Sequence, residues 1–346
     1  MPRILSVATA LPPHRLDQPR ARAEMARLAE GNPAIARLVP VFDRSGVDTR
    51  YLVHPPEWYL EPRTFEERNL EYLERGLELT EQAARACLAQ AAVVPGDIDH
   101  IFFVTTTGLA TPSIDALLAA RLGLRNDVRR WPLFGLGCAG GAGALTRARD
   151  LLLSAPQAKI LVISLELCSL VFSRQAMTPT DLIGVALFGD GAAAVLLGGD
   201  DTDGISIVDT RTRLFPEAQH LMGWRFTGDG MRLVLSRDIP EFVSTTLTPA
   251  VKEFVCGQHM AVTGFNHYVL HPGGPKVMAT YKSAFGLPED AVRIARSSMN
   301  RVGNLSSASV LFMLSDVMAE GPSAGDTGLM LALGPGFACE MLMLRW

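Results

Sequence analysis

Hydrophobic positions along the chain follow two different periods. Between Glu67 and Ala92, Leu70, Leu73, Leu77, Ala84, Leu88 and Ala91 recur at helical spacing among Glu and Arg. That spacing predicts an amphipathic helix lying on a core. Residues 101–107, Ile-Phe-Phe-Val-Thr-Thr-Thr, form instead a continuous β-type run, the pattern of a strand buried on both faces. Residues 161–164 and 192–197 repeat it, and helical patterns at 114–124 and 142–153 lie between. Alternating strands and helices predict a layered α/β fold. At the N-terminus, Arg3, the apolar residues 4–11 and Ala8-Thr9-Ala10 imitate a secretory signal. The stretch is short and runs into Pro12-Pro13, which predicts a first β-strand. The longest apolar run, residues 185–199, is broken by Asp190 and falls short of the ~18 residues of a membrane span.

Composition narrows the classes further. With 346 residues, 48% apolar and 20% charged, the chain is long enough for about two domains at roughly 150 residues each. Thirty-two Lys and Arg against 36 Asp and Glu give a net charge of −4. No positive surplus is available to neutralise a nucleic-acid backbone, so nucleic acid is not expected as a partner. The five cysteines, Cys87, Cys138, Cys168, Cys256 and Cys339, are odd in number and contain no C-x-x-C pair. They predict neither a disulfide framework nor a zinc site, and they fit a reducing cytoplasm.

An internal repeat gives the organisation. An offset of 166 residues relates Thr105 to His271, Gly108 to Gly274 and Cys138 to Asn304. In each half a strand end is followed by a glycine and a helix of small residues. Two similar lobes are expected, 1–200 and 201–346, joined through the acidic, glycine-containing stretch 198–204. Cys138 and Asn304 would then stand at corresponding helix starts facing a shared centre.

Cys138 lies in Leu136-Gly137-Cys138-Ala139-Gly140-Gly141-Ala142-Gly143-Ala144. Glycines around a thiol permit a sharp turn and close approach of a substrate. A helix starting there favours thiolate and offers N–H groups to an oxyanion, as acyl transfer through a thioester needs. An ordinary free cysteine is simply buried, and Cys87, on the apolar side of the first helix, is read that way. Residues 135–140 also match G-x-G-x-x-G, the dinucleotide fingerprint. The acidic residue that should follow by about 20 positions is poorly met by Asp150 or Glu166. Of seven histidines, His271 alone ends a strand before a Pro272-Gly273-Gly274 turn, where functional side chains collect in α/β sheets. Asn304 serves equally well as a helix cap ahead of residues 309–318.

Taken together these segments resemble the type III polyketide synthases, the chalcone synthase-like enzymes of the thiolase superfamily. The resemblance rests on Gly137-Cys138-Ala139-Gly140-Gly141, Phe188-Gly189-Asp190-Gly191-Ala192-Ala193, His271-Pro272-Gly273-Gly274-Pro275, Gly303-Asn304-Leu305-Ser306-Ser307-Ala308 and Gly334-Pro335-Gly336. It covers nearly the whole chain and points to bacterial members. It implies a five-layered αβαβα fold, a homodimer, and no cofactor or metal beyond coenzyme A thioesters as substrates. Cys138 would accept an acyl group from an acyl-CoA starter, and His271 would help hold the thiolate. His271 and Asn304 would stabilise the enolate formed when the malonyl-CoA extender loses carbon dioxide. Phe188 matches the gatekeeping phenylalanine of the family, and Arg37 and Arg44 match basic residues at the CoA tunnel, with Pro40 where a third is often found. Thr106, Thr107, Thr111, Cys168, Val171, Gly184, Trp224, Leu233, Ser306, Gly334, Pro335 and Gly336 are expected in the substrate pocket. Cys168, Val171 and Thr111 depart from the plant pattern. Small residues at Thr106, Thr111 and Gly184 suggest an aliphatic starter and an alkylpyrone or alkylresorcinol-type product. Trp224 suggests the alternative, a malonyl-CoA-only synthase making tetrahydroxynaphthalene. A different class, a catalytically silent acyl-binding subunit of the same fold, would leave Cys138 without an acyl adduct.

Overall fold

The computed structural model describes residues 1–29, 32–173, 177–199, 203–228 and 230–346. The N-terminal apolar stretch is strand β1 (Arg3–Ala10). A short ribbon pairs β2 (His14–Asp17) with β3 (Thr49–Leu52). The continuous β-type runs become β4 (His100–Thr105), β6 (Ile160–Leu167) and β7 (Asp190–Gly198), all buried throughout. They are joined by β5 (Arg129–Phe134) and, beyond residues 200–202, by β8 (Ile205–Leu214). A hairpin of β9 (Met222–Thr227) and β10 (Gly230–Leu235) follows. The last strands are β11 (His267–Leu270), β12 (Thr327–Gly334) and β13 (Ala338–Arg345).

Nine strands make one mixed sheet in the order β11-β12-β13-β8-β1-β7-β6-β4-β5. Its centre is the antiparallel contact of β1 with β8, where Arg3 faces Ser206 and Ile4 faces Ile205. Outward from that contact the same arrangement occurs twice, β1-β7-β6-β4 in one half and β8-β13-β12-β11 in the other, so the repeat seen in the sequence is a repeat of topology. Helices Gly140–Ser154 and Ser309–Ala319 lie between the two halves and share one core with β1, β4, β6 and β7 on one side and β12 and β13 on the other. The helix Phe65–Gln90 covers the outer face of the first half. The helix Pro275–Phe285, with the segment 243–255, covers the outer face of the second. The layers are thus helix, sheet, helix, sheet, helix, the five-layered thiolase-like arrangement.

Small residues let the central helices meet. A Cβ on Gly141 would lie 2.2 Å from the carbonyl oxygen of Ser307, so only glycine allows the approach. The outer helix begins two residues before the periodicity suggests, because Thr64 and Glu67 close a capping box ahead of it. Strand β4 stops at Thr105 although the apolar run continues to Thr107: the Thr106 N–H donates to the Glu166 carboxylate at 3.1 Å instead of to a strand.

One expectation is corrected. The 3₁₀ turn Gly137–Ala139 leads into the first central helix, and the turn Ser306–Ala308 leads into the second. The counterpart of Cys138 is therefore Ser307, and Asn304 lies three residues further upstream. There it forms an isolated parallel bridge with Phe188, which holds it outside the turn.

Candidate active site

Cys138 sits in the turn Gly137–Ala139 and is buried. The turn requires Gly137, whose φ is +50° and whose missing Cβ would lie 2.5 Å from Cδ of Pro335. Thr106 fixes the same turn by accepting the Gly137 N–H on Oγ1 at 3.1 Å. The thiol Sγ lies 3.6 Å from Ser306 Oγ. His271 follows β11 directly, its N–H continuing the ladder to Leu331 O at 2.9 Å. Its ring is buried and neither nitrogen has a hydrogen-bond partner among the described residues. Buried polar groups without partners are costly.

Asn304 is oriented from both ends. Its N–H donates to Leu187 O at 2.8 Å, and its carbonyl accepts the Gly189 N–H at 3.0 Å. Its Oδ1 accepts the Ser306 N–H at 2.8 Å and the Ser309 hydroxyl at 3.2 Å. The side-chain oxygen is thereby occupied and the Nδ2 donors face away from it. The capping reading of Asn304 is accordingly half realised, since its oxygen steadies the approach to the helix while its amide nitrogen stays available.

One closed cavity brings these three side chains together with Phe188, Trp224, Leu233, Ser306 and Pro335. Met222, Gly223, Leu187, Leu235 and Gly273 complete its wall. No charged side chain among the described residues lines it. The remaining positions expected in the pocket lie elsewhere. Thr107 accepts the Leu167 N–H on Oγ1 at 2.9 Å and supports the backbone. Cys168 and Val171 are buried around the turn after β6. Gly184 makes room for a ring, because a Cβ there would lie 2.5 Å from Cζ of Phe172. Gly334 packs on the nucleophile turn, its missing Cβ 2.3 Å from Leu136 O, whereas Gly336, with φ +138°, lies against Leu214. Thr111 lies in a surface groove beside β5, apart from the cavity. Arg37 and Arg44 are exposed, and neither forms an ion pair among the described residues. Gly46, two residues beyond Arg44, abuts Pro275 at the start of the helix that follows His271.

Burial shapes the electrostatics. It pushes the Cys138 thiol up to about 12, helped by the nearby Glu166 carboxylate and opposed by the Ser306 hydroxyl. Burial likewise pushes His271 down to about 4. Burial thus disfavours either charge taken alone. A thiolate and an imidazolium formed together attract strongly in a low dielectric, and the helix Gly140–Ser154 favours the anion at its N-terminus. Transfer of the thiol proton to the imidazole would keep the net charge of the pair at zero.

Glu166 was read in the sequence only as a poor match to a dinucleotide motif. It lies fully buried in β6 and accepts the Ser307 hydroxyl at 2.5 Å as well as the Thr106 N–H. Burial raises its carboxyl to about 7. The signal was present, a single acid inside the apolar run Ile-Leu-Val-Ile-Ser-Leu-Glu-Leu, where an unpartnered charge would be untenable. Asp190 of the Phe-Gly-Asp-Gly motif has a structural part: it accepts the N–H groups of Ser169 at 2.8 Å and Val53 at 3.0 Å.

Residues 2–201 match the N-terminal domain of the chalcone and stilbene synthases, and residues 206–346 match their C-terminal domain. The chain belongs to this family, the type III polyketide synthases. It is 41% identical to 1,3,6,8-tetrahydroxynaphthalene synthase from Streptomyces peucetius subsp. caesius, over 99% of this chain and 93% of the relative. It is 38% identical to a putative chalcone synthase of Bacillus subtilis (strain 168), over 99% and 98% of the two chains. The crystal structure of 1,3,6,8-tetrahydroxynaphthalene synthase from Streptomyces coelicolor A3(2), a bacterial type III polyketide synthase, superposes with a TM-score of 0.95 at 28% identity, covering 99% of both chains. As a type III polyketide synthase the protein is an acyltransferase acting on coenzyme A thioesters, and the silent-subunit reading falls away. No helix among the described residues is long and apolar enough to cross a membrane.

Proposed function

We propose that this synthase loads an acyl group from an acyl-CoA onto Cys138, extends it with malonyl-CoA and cyclises the chain to an alkylpyrone or alkylresorcinol-type product. The observation that carries the chemistry is the meeting of Cys138, His271 and the Nδ2 side of Asn304 in one cavity without a charged wall. Cys138 gives its proton to His271 as Sγ attacks the thioester carbon, and the departing coenzyme A sulfur takes a proton in turn. When malonyl-CoA follows, its carboxylate leaves as carbon dioxide and the electron pair of that C–C bond moves toward the thioester oxygen. An N–H of His271 and the amide of Asn304 donate to that oxygen. Fixed donors aimed at a charge that develops during the reaction, in a space closed to water, lower its barrier. The enolate carbon then attacks the acyl carbon and the bond to Sγ breaks.

Arg37 and Arg44 are the proposed grips for the coenzyme A phosphates, since both side chains are exposed and form no ion pair among the described residues. A second copy of the chain is the proposed partner, docking along β5. That strand ends the sheet with Trp131 and Phe134 exposed at 41% and 48%, an edge that pairing would cover.

Cys138→Ala should abolish condensation, read as loss of both product and the acyl adduct in intact-mass spectra. Retained product would sink the assignment. A second reading has its own support. The rings of Trp224 and Phe188 crowd the cavity, and 1,3,6,8-tetrahydroxynaphthalene synthases are among the relatives, so malonyl-CoA serving as both starter and extender is the alternative. A starter panel from acetyl- to stearoyl-CoA decides: tetrahydroxynaphthalene from malonyl-CoA alone, with no starter incorporated, selects the second reading.

A further inference from the structure

The ends of two helices converge on Phe188 and Asn304. The helix Pro179–Leu187 stops at Phe188, and the helix Arg293–Val302 stops at Gly303, one residue before Asn304. A helix end leaves its last carbonyls without intrahelical donors, and here the donors come from one short segment, Asp48-Thr49-Arg50, where the chain enters β3. The Asp48 N–H donates to Asn300 O at 2.9 Å and the Thr49 hydroxyl to Arg301 O at 2.6 Å. The Arg50 guanidinium donates to Val185 O, to Ala186 O at 2.8 Å and to Phe188 O at 3.1 Å. Leu187 O, between these, accepts the Asn304 N–H.

Residues 48–50 thus brace the two helix ends against each other, and the bridge that holds Asn304 lies between them. Glycines bring the parts into contact: a Cβ on Gly303 would lie 2.9 Å from Leu187 O, and one on Gly189 would lie 2.5 Å from Val302 O and 3.4 Å from Cβ of Arg50. Arg50 itself is buried, and Gln18 Oε1 accepts a further N–H from it. Burial lowers its guanidinium to about 10 and Asp190 opposes the shift, so at neutral pH it is a cation, the charge that a helix C-terminus favours. Buried charge is a poor source of stability beside apolar packing of similar volume. What a guanidinium fork supplies is fixed geometry.

We infer that Arg50 is a positioning residue for the loss of carbon dioxide from malonyl-CoA: through the carbonyls of residues 185–188 and the Phe188–Asn304 bridge it sets where the Asn304 Nδ2 donors point, with Thr49 as the second arm of the brace. The inference rests on the reading of Asn304 as a donor to the enolate oxygen. A displacement of about 1 Å in such a group can cost on the order of 10²-fold in rate. The turn that carries Cys138 is held by Thr106 and Pro335, outside the brace, so the reactivity of the thiol does not pass through Arg50.

Two rates measured on the full chain separate positioning from general support of the fold. Carbon dioxide release from malonyl-CoA reads the amide donor, and alkylation of Cys138 by iodoacetamide reads the thiol. Arg50→Met keeps an unbranched stem against Gly189 and removes the donors. It should lower kcat for carbon dioxide release about tenfold or more, while KM for malonyl-CoA and the alkylation rate change by less than about twofold. Thr49→Val removes one hydrogen bond at nearly constant volume and should lower the same kcat about threefold; it decides the matter if Arg50→Met does not fold. An unchanged kcat in a folded variant would overturn the inference, and so would a parallel loss of both rates, which marks a residue that merely supports the fold. Asn304→Ala is the control for the underlying reading: carbon dioxide release at the wild-type rate in that variant would remove Asn304 as the donor, a result distinct from the others.

Discussion

In the proposed mechanism Cys138 gives one proton to His271, which makes each depend on the other. With His271→Gln, the thiol keeps its burial and loses the group that takes its proton. Alkylation of Cys138 by iodoacetamide at pH 7 should slow more than tenfold, followed by the mass of the adduct; an unchanged rate would mean that the helix dipole alone sustains the thiolate. Glu166 provides a second handle. Its carboxyl titrates near 7 in the fold against 4.5 ordinarily, so between those values the folded state holds more protons than the unfolded one. Stability therefore falls as pH rises through that window. Glu166→Gln removes this slope, and the urea midpoint of the variant should decline less than that of the wild type from pH 5 to pH 8; equal declines would contradict it. Cys138, His271 and Asn304 stood out in the sequence because each is a reactive residue type set beside a glycine-bearing turn. Glu166 was not, because its meaning comes from Ser307, 141 positions away in the chain.

At the level of elements, the periodicities that marked strands and helices in the first half were sufficient because those elements are buried on one or both faces. β5 escaped notice since its residues Arg129–Phe134 are mostly exposed and carry no alternation. The β9–β10 hairpin and the π-turn Val243–Leu247 escaped too, as their contacts are tertiary and leave no regular spacing. The repeat was visible but misregistered by three residues, because loop lengths before the central helices differ while the helices themselves correspond. Their contact gives a prediction: Gly141→Ala forces a Cβ against Ser307 O and should destabilise by roughly 3 kcal/mol, the upper end of overpacking costs. Chemical denaturation measures it, and a loss under 1 kcal/mol would show that the helices can shift apart.

For the whole molecule, the two halves share one sheet and one cavity, with the nucleophile from the first and its partners from the second. Assembly with a second copy should run along β5. Phe134→Arg should convert a species of about twice 37.4 kDa to one of single mass in light scattering; a wild type already of single mass would dispose of the interface. The bridge between Phe188 and Asn304 has a consequence at this scale. Because Phe188 and Asn304 are the two partners of one isolated bridge, displacing one displaces the other. Substrate preference should therefore change by exchanging side chains around this frame, at positions such as Phe172, Trp224 and Leu233, and an insertion or deletion beside the bridge should cost activity.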